Sequence, residues 1–400
     1  MNKLSILLII FLSSNLLYAQ KRDKPIYKHA ELAIIINKVK EQYVPDKREK
    51  VYDIEVNDYE KRPTIQGVTS DTTAYKELVK QAEEVYGADL VNKIKLLPAS
   101  DLGDKTYGVI TLSVADVRTE ADFSAEMATQ AILGTPIRVL QKDGWYRIQT
   151  PDGYIGWTQG INFQPMTRAE YENWKGSRKV IFTDYFGFAY QEADTQSRTV
   201  SDLVSGNIMK LESEDGDFYQ VSYPDGRNAY VLKRQSKPYE EWLASIQATG
   251  DSFVKKAYTL IGIPYVWGGT SVKGMDCSGF TKTILFMHGI ILKRDASQQA
   301  YTGIPVDISK GYGDLEAGDL MFFGRKAEKG KKERVRHAAF YIGDNKFIHA
   351  SGYIRISSLD PADPEYDEVN TREFIRASRV IGAVDKEGSG IWSITGNPFY

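Results

Sequence analysis

Residues 261–289, IGIPYVWGGTSVKGMDCSGFTKTILFMHG, give the strongest indication of how this chain folds. Its first half is irregular and rich in glycine, and it leads into the single cysteine of the chain, Cys277. Apolar residues then recur at helical spacing, so the pattern predicts a helix that begins at Cys277. The free N–H groups of a helix start favour a thiolate and an oxyanion, and we therefore expect a nucleophile with a lowered thiol pKa. The competing interpretation is an inert buried cysteine.

A catalytic cysteine needs a base, and the chain has four histidines: His29, His288, His337 and His349. His288 follows Cys277 by eleven residues in the predicted helix. At ~1.5 Å of rise per residue it lies far beyond hydrogen-bond reach. His29 stands in a region without a motif, so His337 and His349 are the candidates.

These two histidines lie in a predicted β-hairpin. RHAAFYIG (336–343) and KFIHAS (346–351) alternate as strands around a glycine-aspartate-asparagine connection. A connection with an odd number of residues, or a β-bulge, places His337 and His349 diagonally on one face, within reach of each other. A plain two-residue turn would separate them onto opposite faces.

The predicted catalytic set is therefore Cys277 as nucleophile, His337 as base and His349 as the residue that orients the base. The alternative is that the two strand histidines are unrelated. A redox or zinc role is disfavoured, because one cysteine cannot form a CxxC pair. The sequence predicts no metal and no organic cofactor.

A second feature is an internal repeat: GWYRIQTPDGYIGW (144–157) recurs as DFYQVSYPDGRNAY (217–230). Each copy has alternating strands around a Pro-Asp-Gly turn. The repeat predicts two small β-barrels, over 106–166 and 178–235. The pattern resembles the bacterial SH3-like domains, and the second copy matches less well.

Helical linkers are expected after both barrels. Thr167 with Glu170 forms a capping-box pattern, and Ser236 is the expected cap of the second linker helix.

The remaining regions complete a multidomain α+β fold. Residues 1–19 combine one lysine with an apolar stretch too short to span a bilayer, which predicts a signal peptide; the alternative is a buried N-terminal helix. Residues 20–105 predict a small α+β module with a packing or spacing role. Residues 249–400 form the predicted catalytic domain.

Composition limits the partners. The chain has 51 basic and 53 acidic residues, a net charge of -2, which gives no reason to expect nucleic acid. No later segment is apolar enough for stable membrane insertion. We expect a monomer that is secreted into the periplasm.

The catalytic region resembles the NlpC-type cysteine peptidases, whose motifs occur here in the same order. The resemblance implies a papain-like α+β domain and the same roles for Cys277, His337 and His349. It also implies that the hydroxyl of Tyr265 assists the Cys277 N–H at the oxyanion. The motifs are PYVWGG (264–269), DCSGF (276–280), RDASQQ (294–299), GDLMFF (318–323), RHAAFYIG and FIHAS (347–351).

The narrower resemblance is to the γ-D-glutamyl-L-diamino acid endopeptidases, or dipeptidyl-peptidase VI. It implies an acidic pocket for the free amine of a terminal L-Ala and a murein peptide or peptidoglycan as substrate. Ala296 departs from the serine that relatives usually carry. A helix cap is an equally good role for Asp276. The implied substrate-binding residues are Asp276, Ser278, Asp295 and Trp267, with Glu126 and Tyr154 from the first barrel.

Two further questions stay open at the level of sequence. The basic segment RKAEKGKKERVR (325–336) is either a solvated hairpin loop or a site that attracts substrate carboxylates. The rival functions are cleavage of intact peptidoglycan, an amidase or acyltransferase on the same fold, and a non-catalytic wall-binding protein.

Overall fold

A computed structural model describes residues 29–400, and the predicted signal peptide at 1–19 lies outside the described residues. Across residues 29–400, no helix combines the length and the apolar character that crossing a bilayer requires. The described chain has a mixed α+β architecture, as the sequence predicted.

The N-terminal module is a three-stranded sheet covered by two helices. Strands β1 and β2 are antiparallel, and α2 returns the chain so that β3 lies parallel to β2. Leu32 and Leu78 of the two helices pack with Ile65 of β2 in one apolar core. Strand β3 was not anticipated. The elements are α1 (Ala30–Tyr43), β1 (Tyr52–Val56), β2 (Thr64–Thr69), α2 (Thr72–Tyr86) and β3 (Val91–Leu96).

The first repeat forms an antiparallel seven-stranded sheet with the order β10-β4-β7-β8-β9-β5-β6. The Pro-Asp-Gly turn connects β8 and β9. The elements are β4 (Tyr107–Ile110), β5 (Val114–Arg118), β6 (Met127–Ile132), β7 (Pro136–Asp143), β8 (Trp145–Gln149), β9 (Ile155–Thr158) and β10 (Phe163–Met166), followed by α3 (Arg168–Gly176).

The second repeat forms another antiparallel seven-stranded sheet, with the order β17-β11-β14-β15-β16-β12-β13. This is the same order of equivalent strands as in the first sheet, so the two copies share one topology. The elements are β11 (Lys179–Phe182), β12 (Phe186–Tyr190), β13 (Thr199–Val204), β14 (Ile208–Asp215), β15 (Phe218–Ser222), β16 (Asn228–Leu232), β17 (Ser236–Pro238) and α4 (Tyr239–Ser245).

The two linker predictions have different outcomes. Thr167 caps α3, and it forms the expected capping box with Glu170. Ser236 does not cap α4. It lies in β17, which pairs with β11, and the residue before α4 is Pro238. Backbone groups of residues 236–238 form hydrogen bonds to β11 instead of to a helix cap. A local sequence pattern does not reveal this pairing.

The C-terminal region places helix α6 against an antiparallel six-stranded sheet of order β21-β26-β22-β23-β24-β25. Phe280 and Ile284 of α6 pack on Phe340 of β23. His288 follows the end of α6, with its Nδ1 2.8 Å from the carbonyl of Ile284.

The elements of this region, in chain order, are α5 (Gly250–Tyr258), β18 (Thr270–Ser271), β19 (Gly274–Met275), α6 (Cys277–Phe286), β20 (Ile290–Ile291), α7 (Ala296–Gln299), β21 (Ile304–Val306), β22 (Leu320–Arg325), β23 (Arg334–Gly343), β24 (Lys346–Ser351), β25 (Tyr353–Ser358), α8 (Glu368–Arg372), β26 (Phe374–Arg379) and β27 (Trp392–Ser393).

Candidate active site

Cys277 is the first residue of α6, as predicted, and it is buried. Asp276 caps the helix, since its Oδ1 accepts the N–H of Gly279 at 2.7 Å. Glycine is required at 279 because an added Cβ would lie 2.0 Å from the carbonyl oxygen of Gly269. This close approach holds the start of the helix against the glycine-rich loop.

The expected lowering of the thiol pKa is wrong. Burial raises the pKa of Cys277 to about 11, and the negative charge of Asp276 adds to the increase. The N–H groups of Ala338 and Ser278 and the positive charge of Arg294 act in the opposite direction. Loss of solvent outweighs the helix N-terminus, so Cys277 is a thiol at neutral pH and requires a base.

The two candidate histidines meet across the β23–β24 hairpin. His337 Nε2 lies 2.7 Å from His349 Nδ1. The hairpin turn is a two-residue turn, with φ of 49° at Asp344 and 57° at Asn345. A β-bulge in β23 just before the turn restores the register that a plain two-residue turn would lose. The bulge was one of the two geometries that the prediction required.

A serine extends this pair. His349 Nε2 lies 3.1 Å from Ser357 Oγ in β25. Burial lowers the pKa of His337 to about 4, and it holds the pKa of His349 well below its ordinary value. Both rings are therefore neutral at pH 7 and each carries one N–H. Ser357 was missed because its place beside His349 comes from strand pairing.

These constraints define a protonation pattern that supports catalysis. If His337 Nε2–H donates to His349 Nδ1, then His337 Nδ1 keeps its lone pair and can accept a proton. His349 Nε2–H then donates to Ser357 Oγ. The N–H of Ala338, the residue after His337, faces the Cys277 sulfur, so the strand brings the base to the nucleophile.

Arg294 is completely buried beside Asp276. Its Nη2 and Nη1 donate to the two carboxylate oxygens at 2.6 and 3.1 Å. Arg294 also donates to Ser278 Oγ and Thr129 Oγ1, both at 2.9 Å. The carboxylate of Asp276 is thereby compensated within the protein, which favours the helix-capping interpretation that the sequence left open. A direct contact of Asp276 or Ser278 with substrate stays a prediction.

A cleft of about 650 Å³ opens beside the cysteine, and the sheet of the first repeat forms one wall of it. Trp267 Nε1 donates to Glu126 Oε1 at 2.6 Å. Across the cleft, the hydroxyl of Tyr154 donates to Asp295 Oδ2 at 3.4 Å. Tyr265 lines the same cleft. Two chain regions that are distant in sequence therefore meet where the resemblance implied an amine pocket.

The N-terminal module also reaches this cleft. Arg48 Nη1 donates to Asp295 Oδ2 and to Ser297 Oγ, both at 2.8 Å. The sequence predicted only a packing or spacing role for this module. No local pattern marks Arg48, because its partners lie about 250 residues further along the chain.

The fold and the site together define a cysteine peptidase. A thiol at a helix start, a neutral imidazole pair on the adjoining sheet and an open cleft are the parts that acyl transfer by a thiol requires. Residues 262–374 match the model of the NlpC/P60 family, and residues 117–159 match that of the bacterial dipeptidyl-peptidase Sh3 domain. The chain belongs to the NlpC/P60 family of cysteine peptidases.

Comparison with known proteins supports this assignment. The chain is 32% identical over 267 residues to the gamma-D-glutamyl-L-lysine dipeptidyl-peptidase of Bacillus cereus, covering 64% of this chain and 76% of that one. It is 26% identical over 269 residues to dipeptidyl-peptidase 6 of Lysinibacillus sphaericus, covering 64% and 93%. The crystal structure of an NlpC/P60 family protein from Bacillus cereus covers 68% of this chain and 99% of that chain, with 26% identity and a TM-score of 0.58.

Proposed function

We propose that the protein is a γ-D-glutamyl-L-diamino acid endopeptidase that acts on murein peptides with a free N-terminal L-Ala and releases L-Ala-D-Glu. The observation that carries the proposal is the group of Glu126, Tyr154 and Asp295 in the catalytic cleft. Carboxylates and a hydroxyl in a confined site favour an ammonium group over a neutral amide. The names of the two relatives point to the same class of substrate.

In the first chemical step, the sulfur of Cys277 attacks the γ-carbonyl carbon of D-Glu, and the thiol proton passes to His337 Nδ1. The N–H of Cys277 and the hydroxyl of Tyr265 stabilise the oxyanion. His337 then returns the proton to the nitrogen of the diamino acid as the C–N bond breaks. The product is a thioester between Cys277 and the dipeptide.

In the second step, His337 takes a proton from water, and the resulting hydroxide adds to the thioester carbonyl. Collapse of this intermediate breaks the C–S bond, and the proton returns to the sulfur of Cys277. His349 holds the imidazole of His337 in the required tautomer throughout, and Ser357 holds His349. Neutral histidines suit both steps, because each step begins with proton abstraction.

The site of action is part of the proposal. The N-terminal sequence resembles a signal peptide, and the proposed substrate is found in the cell wall. We therefore infer a secreted protein that works in the periplasm as a monomer.

The test is mass spectrometry of L-Ala-γ-D-Glu-diamino acid peptides after incubation with the purified protein. Peptides that end in meso-diaminopimelate and in L-Lys are run in parallel, together with their N-acetylated forms. The Cys277→Ala protein is the control for the nucleophile.

We expect release of L-Ala-D-Glu from the free peptides and none from the Cys277→Ala protein. Equal cleavage of the N-acetylated peptides would contradict the amine pocket and point to hydrolysis of intact peptidoglycan. A product other than the dipeptide would indicate an amidase or acyltransferase, and no cleavage would indicate a wall-binding protein.

A further inference from the structure

Residues 44–50 of the N-terminal module leave the end of α1 and enter the catalytic cleft. Arg48 is held within this segment by Asp46, since Nε donates to Oδ1 at 2.8 Å and Nη2 donates to Oδ2 at 2.6 Å. The carbonyl of Arg48 accepts the N–H of Ile155, in β9 of the first repeat, at 2.7 Å. A bidentate ion pair and a backbone contact therefore fix the guanidinium before substrate binds.

The remaining edge of the guanidinium faces the proposed amine pocket. Its Nη1 contacts Asp295 Oδ2 and Ser297 Oγ, and the hydroxyl of Tyr154 approaches the same carboxylate oxygen. The side chains of Arg48 and Asp295 are 29% and 30% exposed, so the pair borders the open cleft rather than the core. A fixed cation thus stands on the outer side of Asp295, which is the side that carries the N-terminal module.

Further contacts hold the segment on both sides of Asp295. Gln298 Nε2 donates to Asp46 Oδ2 at 3.0 Å and to Glu49 Oε1 at 2.9 Å. Lys293 Nζ pairs with Glu49 Oε1 at 2.9 Å. Because Lys293 and Gln298 flank the pocket residue in sequence, the segment forms a wall of the pocket rather than a loose flap.

The ion-pair group of Asp46, Arg48 and Asp295 suits one ammonium group. Asp46 and Asp295 carry two negative charges, and Arg48 between them carries one positive charge. One substrate ammonium on the inner side of Asp295 brings the group to neutrality. A second cation on the outer side would meet the guanidinium at close range, and like charges in close contact disfavour binding.

We propose that Arg48 is a specificity-determining residue that fixes where the substrate must end. This inference rests on the proposed function and deepens it. One added residue extends a peptide by about 3.5 Å. The ammonium of a peptide one residue longer would then compete with the guanidinium for Asp295 and Asp46. Arg48 therefore excludes peptides that continue beyond the terminal L-Ala.

The experiment compares two peptides on the same enzyme preparation: L-Ala-γ-D-Glu-diamino acid and the same peptide with an N-terminal glycine added. The ratio of their kcat/KM values is measured for the natural protein and for Arg48→Ala, Arg48→Lys and Arg62→Ala. Arg62 is the matched control, because it belongs to the same module and, among residues 29–400, its guanidinium donates only to the carbonyls of Ala88 and Asp89. A ratio within one preparation does not depend on the folded fraction.

We expect the natural protein to prefer the shorter peptide, and Arg48→Ala to reduce that preference at least tenfold. The variant leaves Asp46 and Asp295 free to bind the ammonium of the added glycine. Arg48→Lys should keep most of the preference and Arg62→Ala all of it. Added methylguanidinium should inhibit Arg48→Ala more strongly on the longer peptide, by refilling the vacated position.

An unchanged ratio in Arg48→Ala, with or without an equal loss on both peptides, overturns the inference and leaves the proposed function standing. A natural protein that cleaves the two peptides equally also overturns it. Failure of the natural protein to cleave even the shorter peptide refutes the proposed function itself, and the inference with it.

Discussion

At the scale of single residues, the site combines a buried thiol with two buried imidazoles. The helix start of Cys277 and the pairing of the two strands that carry His337 and His349 place the groups that acyl transfer needs. Burial moves their pKa values apart, since it disfavours the thiolate and the imidazolium alike. Burial therefore keeps the proton on the sulfur of Cys277 and leaves both imidazoles neutral.

One prediction concerns the state of the thiol. Because burial raises the pKa of Cys277 to about 11, we expect no thiolate at neutral pH. The ultraviolet absorbance of the thiolate, measured as the difference between the natural protein and Cys277→Ala, should appear only in strongly alkaline solution. A thiolate band already present below about pH 6 would instead show an ion pair with protonated His337.

A second prediction concerns stability in acid. An unfolded histidine binds a proton below about pH 6.5, whereas folded His337 and His349 resist protonation to lower pH. The unfolded state thus binds more protons in this range, so stability is complete above about pH 6.5 and is lost as the pH falls. Each histidine contributes at most about 1.4 kcal/mol per pH unit.

The measurement is the urea midpoint between about pH 7 and pH 5. His349→Gln should lose less stability over this interval than the natural protein, whatever its stability at neutral pH. Identical slopes would show that His349 titrates in the folded protein as it does in the unfolded chain.

At the scale of elements, the β22–β23 hairpin decides between the two interpretations of the basic segment. Arg325 and Arg334 are opposite each other in the strand register, and Glu328 and Lys331 bridge near the tip. Only one of these two arginines, Arg334, lines the catalytic cleft. The hairpin therefore places one part of the segment in solvent and another at the catalytic cleft.

This arrangement predicts different effects for two matched substitutions. Arg334→Gln should raise KM by up to about fivefold, since an exposed arginine–carboxylate contact contributes less than about 1 kcal/mol. The increase should shrink at high salt. Arg325→Gln removes the same charge from the opposite strand and should leave KM unchanged. Equal effects of the two substitutions would support the interpretation as a solvated loop.

At the scale of the whole molecule, a buried ion pair joins the sheet of the first repeat to the catalytic domain. Asp152, in the Pro-Asp-Gly turn, pairs with Lys282 of α6 at 2.6 Å, and its side chain is inaccessible to solvent. The equivalent residue of the second repeat, Asp225, pairs with Arg227 in its own turn and is partly exposed. The repeated aspartate thus forms an ion pair between two domains in the first copy and an ion pair with Arg227 of its own turn in the second.

The two copies provide a prediction with an internal control. Asp152→Asn leaves Lys282 without its partner and should destabilise the protein by roughly 3 kcal/mol, since breaking a buried pair is costly. Asp225→Asn should cost less than about 1 kcal/mol. Thermal and urea unfolding of the two variants check this, and equally small losses in both would contradict the locking role of Asp152.

Much of the fold and the site follows from local patterns. Helical spacing after Cys277, the histidine-bearing hairpin, the capping box of Thr167 and the Pro-Asp-Gly turns are patterns of residues close together in the chain. Such signals predicted the elements that carry the catalytic residues and the two repeats that each form a β-sheet. Ser236 shows their limit, because a short strand pairing with β11 replaced the expected helix cap.

Motifs and periodicities of adjacent residues were enough to predict the family, the mixed α+β fold and the candidate nucleophile and base. Only the tertiary structure decided the direction of the Cys277 pKa shift, the pairing of Arg294 with Asp276 and the entry of Arg48 into the cleft. These features depend on burial and on contacts between residues far apart in the chain. Local patterns do not encode them, since solvent exclusion and charge pairing arise only when the separate domains pack together.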